Sequence, residues 1–569
     1  MLRPLLLALF LASAAHSAVV DVDLAISYIF HSSDCVEKLI LAVNGQYPGP
    51  TLNFTVGDEV NVRVSNLLDT EAVNIHYHGI AQTGTPFADG STSFSSCPIP
   101  PMSTTVQSFT VDEPGTFWYH AHIGMMRSSL YGGIKIADPS EPLPPYDEEF
   151  PDVVSVNDWY HESYINQRVG LQQTPFRWVG NPQSLLINGR GKFPCDAALP
   201  CKRCNESNPN CATPVFEVQA GRTYRIRVFS AAQLAYLTLG IEGHAMTIVQ
   251  AEAGYVKPVD VDYLDLNSGM SYSVLVTFDQ PPGTYRMETK MRLRNNEVPN
   301  AVAYVRYVGS EGSEPSTDPL GFPDIDDVEF SLAQARSILS LDAVTVPPFT
   351  LETILVGTQN LFGDKLLWSV NNVSYKMAHT PLNLLAAFGL LDEIDTVAVP
   401  RPENPYDYNA TLADQGLSRQ CEVGTNVIEV ATGDVVQIVL QNTLALNGAA
   451  EQHPWHLHGH DFWVLGYGEG TYDPDAADNG LNLVDPPYRS SVTLFPRGWT
   501  VIRFVASNPG HCTFWEARWP HRTAPHRAAP QLFASRSNQK SAASFLIRPR
   551  AAAWQALPCA PGFFEVSFT

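Results

Sequence analysis

Three short histidine runs are the part of this chain whose residue types and spacing could do chemistry. They are His76-x-His78, His120-x-His122 and the longer run from His453 to His460. Alternate side chains of a β-strand point to the same face, so each His-x-His pair can present two imidazoles together. Imidazole suits Cu, Zn, Fe or Ni far better than Ca or Mg. A single His-rich loop would not repeat in this way, so the pattern predicts a transition-metal site.

The elements that must position these pairs are short strands. The chain has 44 Pro and 38 Gly, a texture typical of many strands joined by turns. Runs with period-2 alternation, such as 59–64, 224–229 and 435–440, support the same interpretation. Gly57-Asp58 and Gly433-Asp434 open similar runs, each ahead of a His-x-His pair. The pattern predicts an all-β protein with a repeated sandwich domain, whose first and last copies share the metal site.

Two acidic, proline-containing stretches divide the chain into blocks. We predict domains at 19–139, 140–320 and 345–569, after a secretory signal at 1–18 that begins with a basic Arg3. Nine cysteines and four Asn-x-Ser/Thr acceptors fit a disulfide-bonded glycoprotein, secreted to the extracellular space or the cell wall. The sequence has no later run of about 18 apolar residues, so no membrane span is predicted. The net charge of −23 argues against nucleic acid as a partner.

Longer motifs point to a family. The chain resembles multicopper oxidases, which consist of three cupredoxin-like Greek-key β-sandwich domains, and among them the L-ascorbate oxidases of plants. The likeness runs from about Cys35 to Gly510. Its most specific stretches are 84–90 (GTPFADG), 115–122 (GTFWYHAH), 177–183 (RWVGNPQ) and 466–470 (GYGEG).

The resemblance implies four coppers per chain: one type 1, one type 2 and a type 3 pair. It assigns His76 and His456 to the type 2 copper and His453 to the type 1 copper. The type 3 pair would be held by four further imidazoles, those of His78, His120, His122 and His458. His460 would have a structural role. Neutral imidazoles from two domains would keep the coppers close while electrons are collected for O2.

The implied enzyme couples one-electron oxidation of ascorbate, or a similar small reductant, to four-electron reduction of O2 to water. Trp178 and Trp368 match the aromatic residues that pack on the substrate near the type 1 copper. The alternatives are a laccase-like phenol oxidase, a metal oxidase, and a non-catalytic extracellular relative that has lost its type 1 site. The sequence gives neither the natural reductant nor the oligomeric state.

The resemblance also implies a set of disulfides. The implied pairs are Cys35 with Cys211, Cys97 with Cys559, and Cys195 with either Cys201 or Cys204. The sequence does not choose between the two partners of Cys195. Cys421 and Cys512 are left without an assignment.

The family's last copper motif breaks down in this chain. After 508–510 (NPG), His511 and Cys512 look like the start of a His-Cys-His motif, but they arrive early. Thr513 and Ala517 occupy its two remaining His positions, which puts the type 1 copper in doubt. From residue 511 the charge inverts, with seven basic and two acidic side chains. A mis-framed gene explains both facts, and a genuine loss of the type 1 site is the alternative. A tail of this charge without a visible strand pattern does not look like the end of a sandwich domain. The sequence does not show whether the tail folds, and a tail left unpaired would expose a sheet edge in the third domain.

Overall fold

The computed structural model describes residues 18–294, 298–390, 396–397, 420–476, 478–516 and 542–548. The predicted signal, apart from Ala18, and the tail cysteine Cys559 lie outside these residues. Three groups of β-sheets follow one another along the described chain, so the all-β prediction is confirmed. No helix in the described residues is long and apolar enough to cross a membrane.

The first sandwich, residues 19–137, consists of two four-stranded sheets. Its strands are β1 (Val19–His31), β2 (Lys38–Val43), β3 (Leu52–Thr55), β4 (Glu59–Asn66), β5 (Ile75–His78), β6 (Ser103–Thr110), β7 (Gly115–Ala121) and β8 (Tyr131–Ala137). The sheet orders are β2-β1-β4-β6 and β3-β8-β7-β5. In β4 the alternate residues Val60, Val62 and Val64 are buried, as expected where one face packs on a core. β5 and β7 pair antiparallel and bring His76 opposite His120.

The second sandwich, residues 148–307, contains the largest apolar core of the described chain. Its strands are β9 (Glu148–Glu149), β10 (Val154–Trp159), β11 (Ser184–Ile187), β12 (Val215–Val218), β13 (Thr223–Ser230), β14 (Tyr236–Ile241), β15 (Met246–Ala251), β16 (Gly254–Val261), β17 (Tyr263–Leu266), β18 (Ser271–Thr277), β19 (Thr284–Arg292) and β20 (Ala301–Tyr307). One sheet runs β11-β10-β13-β18-β15-β16, with β9 beside β13, and the other runs β12-β20-β19-β14-β17. Helix α1 (Tyr164–Gln172) lies between β10 and β11 in the chain, and the Ser163 side chain caps its first turn.

The third sandwich, residues 351–548, is one continuous run of strands. These are β21 (Leu351–Phe362), β22 (Lys365–Val370), β23 (Val373–Tyr375), β24 (Thr396–Val397), β25 (Glu422–Ala431), β26 (Val435–Gln441), β27 (His453–Leu457), β28 (Phe462–Glu469), β29 (Tyr488–Arg489), β30 (Ser491–Leu494), β31 (Gly498–Val505), β32 (Gly510–Glu516) and β33 (Ala542–Arg548). Their order is β29-β28-β31-β26-β21-β22-β23-β25-β33-β32-β27-β30, with β24 beside β25. Helix α2 (Val328–Ser337) precedes this sandwich, and α3 (Leu382–Ala387) lies within it.

The segment after residue 510 supplies two of these strands. β32 pairs with β27, placing Phe514 opposite Leu457, and also with β33, placing Cys512 opposite Phe545. β33 in turn pairs with β25. The interpretation that the tail from 511 is unlike the end of a sandwich domain is therefore wrong for 511–516 and 542–548, which pair with strands of the third sandwich. Ladder hydrogen bonds join backbone groups, so the inverted side-chain charge was a poor guide to strand formation.

Two disulfides lie in the described chain. One joins Cys35 to Cys211 and the other joins Cys195 to Cys204. The assignment of Cys201 to a disulfide is wrong, because its thiol is free and exposed. The backbone at Cys204 is held by a β-bridge to Val36, and the Arg203 carbonyl accepts a hydrogen bond from the Glu37 amide at 2.8 Å. These contacts position Cys204 for the disulfide with Cys195. Cys97 is an exposed thiol, and its predicted partner lies outside the described residues.

Candidate metal centre

Six imidazoles meet between the first and third sandwiches. β5 carries the first pair, β7 and the residue after it carry the second, and β27 and the residue after it carry the third. All six side chains are almost fully buried, and we call them the imidazole cluster: His76, His78, His120, His122, His456 and His458. The sequence predicted that these six would lie together. The strands that hold them come from opposite ends of the chain, and the fold brings those ends face to face.

The rings of the imidazole cluster are close enough to share metal ions. Ring centroids lie 4.0 Å apart for His76 and His458, and 3.7 Å apart for His78 and His456. One ligand atom from each of His76, His78 and His456 falls within 4.8 Å of the others, and the same holds for His76, Asp89 and His458. The arrangement therefore offers neighbouring positions to more than one metal ion.

Hydrogen bonds fix which ring nitrogen is left for a metal. His76 donates from Nδ1 to the Asp89 carbonyl at 2.9 Å, and His456 donates from Nδ1 to the Ser490 carbonyl at 2.9 Å. The Nε2 atoms of both rings are buried and have no hydrogen-bond partner among the described residues. His78 is turned the other way, because its Nε2 lies 3.0 Å from the Ser491 hydroxyl and leaves Nδ1 for coordination. Such outer bonds set ring orientation in metal sites.

Asp89 is a functional candidate that the sequence reasoning missed. Its carboxylate oxygens lie 3.1 Å from Nδ1 of His76 and 3.2 Å from Nδ1 of His458. Burial opposes ionisation of Asp89, but His76 and His458 hold its pKa well below the usual range. The signal was present, since Asp89 belongs to the 84–90 motif that carried the family resemblance. A carboxylate placed behind two imidazoles raises their basicity as ligands.

Burial also sets the protonation of four rings of the imidazole cluster. It lowers the pKa of His78, His120 and His456 well below the usual value, with neighbouring imidazoles adding to the effect. It lowers the pKa of His458 to about 4. These rings are therefore neutral at pH 7, the form in which imidazole binds a metal.

The metal-free protein is expected to lose stability steeply as pH falls from about 6.5 to about 4. In this pH window the histidines are protonated in the unfolded state but remain neutral in the folded state. The free energy of unfolding therefore falls as the pH is lowered. A shift as large as that of His458 corresponds to about 3 kcal/mol per ring at most. Chemical denaturation of metal-free protein at several pH values checks this. A flat profile between pH 7 and pH 4 would show that the rings are accessible to protons.

His453 stands apart from the imidazole cluster. Its side chain is half-buried and lines a small cavity together with Trp368 and Glu451. The two other predicted type 1 and type 3 candidates, His511 and Cys512, lie on β32, next to β27. Their side chains lie outside the described residues.

The two predicted substrate-binding tryptophans lie side by side near this cavity. Ring centroids of Trp178 and Trp368 are 6.3 Å apart, and Phe176 lies 5.7 Å from Trp368. We call these three rings the aromatic platform. The guanidinium of Arg294 sits 5.6 Å from the centroid of Trp178. Its Nη1 is buried without a hydrogen-bond partner among the described residues. The flat apolar faces of the platform thus lie beside a guanidinium whose Nη1 has no partner among the described residues.

Comparison with known proteins agrees with a fold of cupredoxin-like sandwiches around a metal cluster. Multicopper oxidase family models match residues 25–141, 152–310 and 399–518. An L-ascorbate oxidase of Cucurbita pepo var. melopepo is 39% identical over 505 residues, covering 86% of this chain and 90% of that protein. Laccase-2 of Oryza sativa subsp. japonica is 33% identical over 539 residues, covering 89% and 91%. The structure of a laccase from Botrytis aclada matches with a TM-score of 0.70 at 25% identity, covering 88% of this chain and 85% of that one.

The chain belongs to the multicopper oxidase family. Its resident metal is therefore copper. The imidazole cluster fits copper in donor type, in the neutral state of His78, His120, His456 and His458, and in the Nε2 atoms of two rings that have no partner among the described residues, those of His76 and His456.

Proposed function

We propose that this protein is a secreted oxidase of the kind that takes electrons from ascorbate and passes them to O2, forming water, and that the break in its last copper motif limits its turnover. The carrying observation is the Arg294 guanidinium beside the aromatic platform. Ascorbate at neutral pH is a small planar anion. A planar anion uses both features of this site, the flat rings and the Arg294 guanidinium, whereas a neutral phenol uses only the rings.

The copper assignment follows the family pattern residue by residue. His76 and His456 would hold the type 2 copper, and His453 would contribute to the type 1 copper. The type 3 pair would take the other four rings of the cluster, at His78, His120, His122 and His458. Bound copper supplies one-electron redox chemistry. The chain's own part is to keep the rings neutral, oriented by their outer hydrogen bonds and shielded from water.

The reductant site lies next to the proposed point of electron entry. Trp368 belongs to the aromatic platform and also lines the cavity that contains His453. A reductant stacked on the platform would therefore lie close to a type 1 ligand. Glu451 lines the same cavity and offers an acceptor for enediol hydroxyl groups.

A laccase-like phenol oxidase is the second candidate. It is favoured by the 33% identity to a laccase and by the apolar faces of the platform, which also fit a phenol ring. Oxygen consumption with ascorbate, a simple diphenol and ferrous iron separates the candidates, and it is measured on the variant T513H/A517H, which restores the two histidines missing from the last copper motif. Ascorbate should give the highest kcat/KM. A preference for the diphenol or for ferrous iron would overturn the ascorbate proposal.

Replacing Arg294 with Gln is expected to weaken ascorbate binding by roughly 10- to 100-fold, the range for losing a hydrogen bond to a charged group. Binding of a neutral diphenol should change little. The measurement is the anaerobic Kd, which does not depend on turnover. Arg203→Gln is the control, since Arg203 is 87% exposed and pairs only with Glu37 among the described residues. Equal losses for both ligands would mean that Arg294 shapes the pocket without recognising charge.

Secretion is supported by the disulfides and by the N-terminal pattern. Disulfides such as Cys35–Cys211 persist in oxidising compartments. Residues 1–18 have the pattern of a cleaved signal. N-terminal sequencing of protein recovered from the culture medium should begin close to Val19. Retention of the first residues in cell-associated protein would contradict secretion.

A further inference from the structure

A tight turn of the second sandwich lies against both other sandwiches. β15 ends at Ala251 and β16 begins at Gly254, so the turn consists of Glu252 and Ala253. A Cβ atom added at Gly115, where β7 begins, would lie 2.4 Å from the Glu252 carbonyl oxygen. A Cβ added at Gly254 would lie 2.2 Å from the Tyr488 carbonyl oxygen. Only glycine lets the turn approach this closely on both sides.

The Glu252 carboxylate is buried in the third sandwich. One oxygen accepts from Arg489 Nη2 at 2.9 Å. The other accepts from the Ser490 amide at 2.5 Å, the Ser490 hydroxyl at 2.9 Å and the Ser491 amide at 2.9 Å. Glu252 and Arg489 are 2% and 3% exposed as residues. Four donors converge on one side chain, so residues 489–491 are held in a single geometry.

The two serines held by Glu252 are the ones that orient copper-cluster imidazoles. The Ser490 carbonyl accepts from Nδ1 of His456, and the Ser491 hydroxyl bonds Nε2 of His78. His456 belongs to the third sandwich and His78 to the first. A single serine thus separates the Glu252 carboxylate from His456 in the third sandwich, and another separates it from His78 in the first. The second sandwich itself supplies none of the six imidazoles.

The backbone at Glu252 gives independent support. Its φ is +56°, in the left-handed region that favours glycine, asparagine or aspartate. A glutamate in that conformation costs backbone energy, and such strain persists where the surroundings over-determine it. A turn needed only to join two strands would be served better by a glycine at this position. A glutamate in this strained conformation points to a role for its carboxylate.

We infer that Glu252 is a positioning residue for the copper cluster, acting through Ser490 and Ser491 on His456 and His78. The inference rests on the proposed copper assignment. Removing the charge would leave Arg489 buried without its counter-ion and loosen the serine backbone. The two rings would then turn away from the orientation that copper needs. Loss of an outer-shell partner weakens metal sites by about 10- to 100-fold.

The test compares Glu252→Gln with Glu288→Gln in the full-length, copper-loaded protein. Glu288 is a matched control in the second sandwich, 1% exposed and bonded to Arg286, Asn300 and the Leu320 amide. The readouts are copper retained against a graded chelator and the electron paramagnetic resonance spectrum of type 2 copper. E252Q should lose cluster copper at 10- to 100-fold lower chelator concentration and show an altered spectrum. E288Q should lower thermal stability and leave both readouts unchanged.

Two further variants keep the inference testable if E252Q does not fold. Ser491→Ala removes only the hydroxyl, which contacts Nε2 of His78 and lies 3.4 Å from Nδ1 of His456, and should reproduce part of the copper loss. Glu252→Asp retains the charge and should recover part of it. Wild-type copper retention in S491A, or equal copper loss in E252Q and E288Q, would overturn the inference. Failure of the wild-type protein to bind copper at the cluster would instead overturn the copper assignment itself.

Discussion

The purified chain is expected to take up copper at the imidazole cluster and to lack the intense blue absorption of a thiolate-bound copper. A blue centre needs two imidazoles and one thiolate in a trigonal arrangement. His453 and Cys512 are present, but Ala517 stands at the second His position. Without that ring the type 1 copper is incomplete. Turnover of ascorbate should then be close to background, because electrons have no entry to the cluster.

The double variant T513H/A517H is expected to restore the missing groups. The two substitutions give the sequence His-Cys-His at 511–513 and a further His four positions later, which is the spacing of the family motif. Blue absorption, four coppers per chain and ascorbate-dependent O2 consumption should appear together. T513H alone should add a cluster ligand without blue colour, which makes it the internal control. A blue wild-type protein would show that β32 places Cys512 with other ligands.

The imidazole cluster was predicted from the sequence, whereas the strands of the tail were not. Strand alternation predicted that His76 and His78 share a face, because the period of two is a local property of the backbone. Their meeting with His456 is a contact between distant parts of the chain, and it was predicted from the repeated plan of the first and last blocks and from the family resemblance. In the tail the resemblance stopped. Net charge and composition do not determine backbone pairing, so strands β32 and β33 went unpredicted.

Residues that support the site were harder to predict than its ligands. Asp89 and His458 are 369 positions apart, and Glu252 and Ser491 are 239 apart. No local period relates such pairs, and a single carboxylate is more often a solvated surface group. Arg294 carried no motif at all. Only the fold shows that these side chains are buried and what they contact.

Replacing Asp89 with Ala is expected to lower the copper affinity of the cluster by about 10- to 100-fold, as for other outer-shell partners of metal-bound histidines. The change removes the carboxylate from Nδ1 of both His76 and His458. Each ring then loses a carboxylate that strengthens its Nε2 as a ligand. Nδ1 of His76 keeps its bond to the Asp89 carbonyl, and Nδ1 of His458 keeps the Ser91 hydroxyl. Copper retention against a chelator measures the loss, and Asp89→Asn should fall between Ala and wild type because an amide oxygen still accepts.

Asp34→Asn separates this effect from general destabilisation. Asp34 is fully buried and accepts from Nε2 of His161 at 2.7 Å and from the Ser184 hydroxyl at 2.7 Å, so it matches Asp89 in burial and in having a histidine partner. His161 is not part of the imidazole cluster. D34N should therefore lower the melting temperature while the copper affinity stays at the wild-type value. If D34N loses copper as readily as D89A, the effect comes from the stability of the fold, and Asp89 has no particular influence on the two rings it contacts.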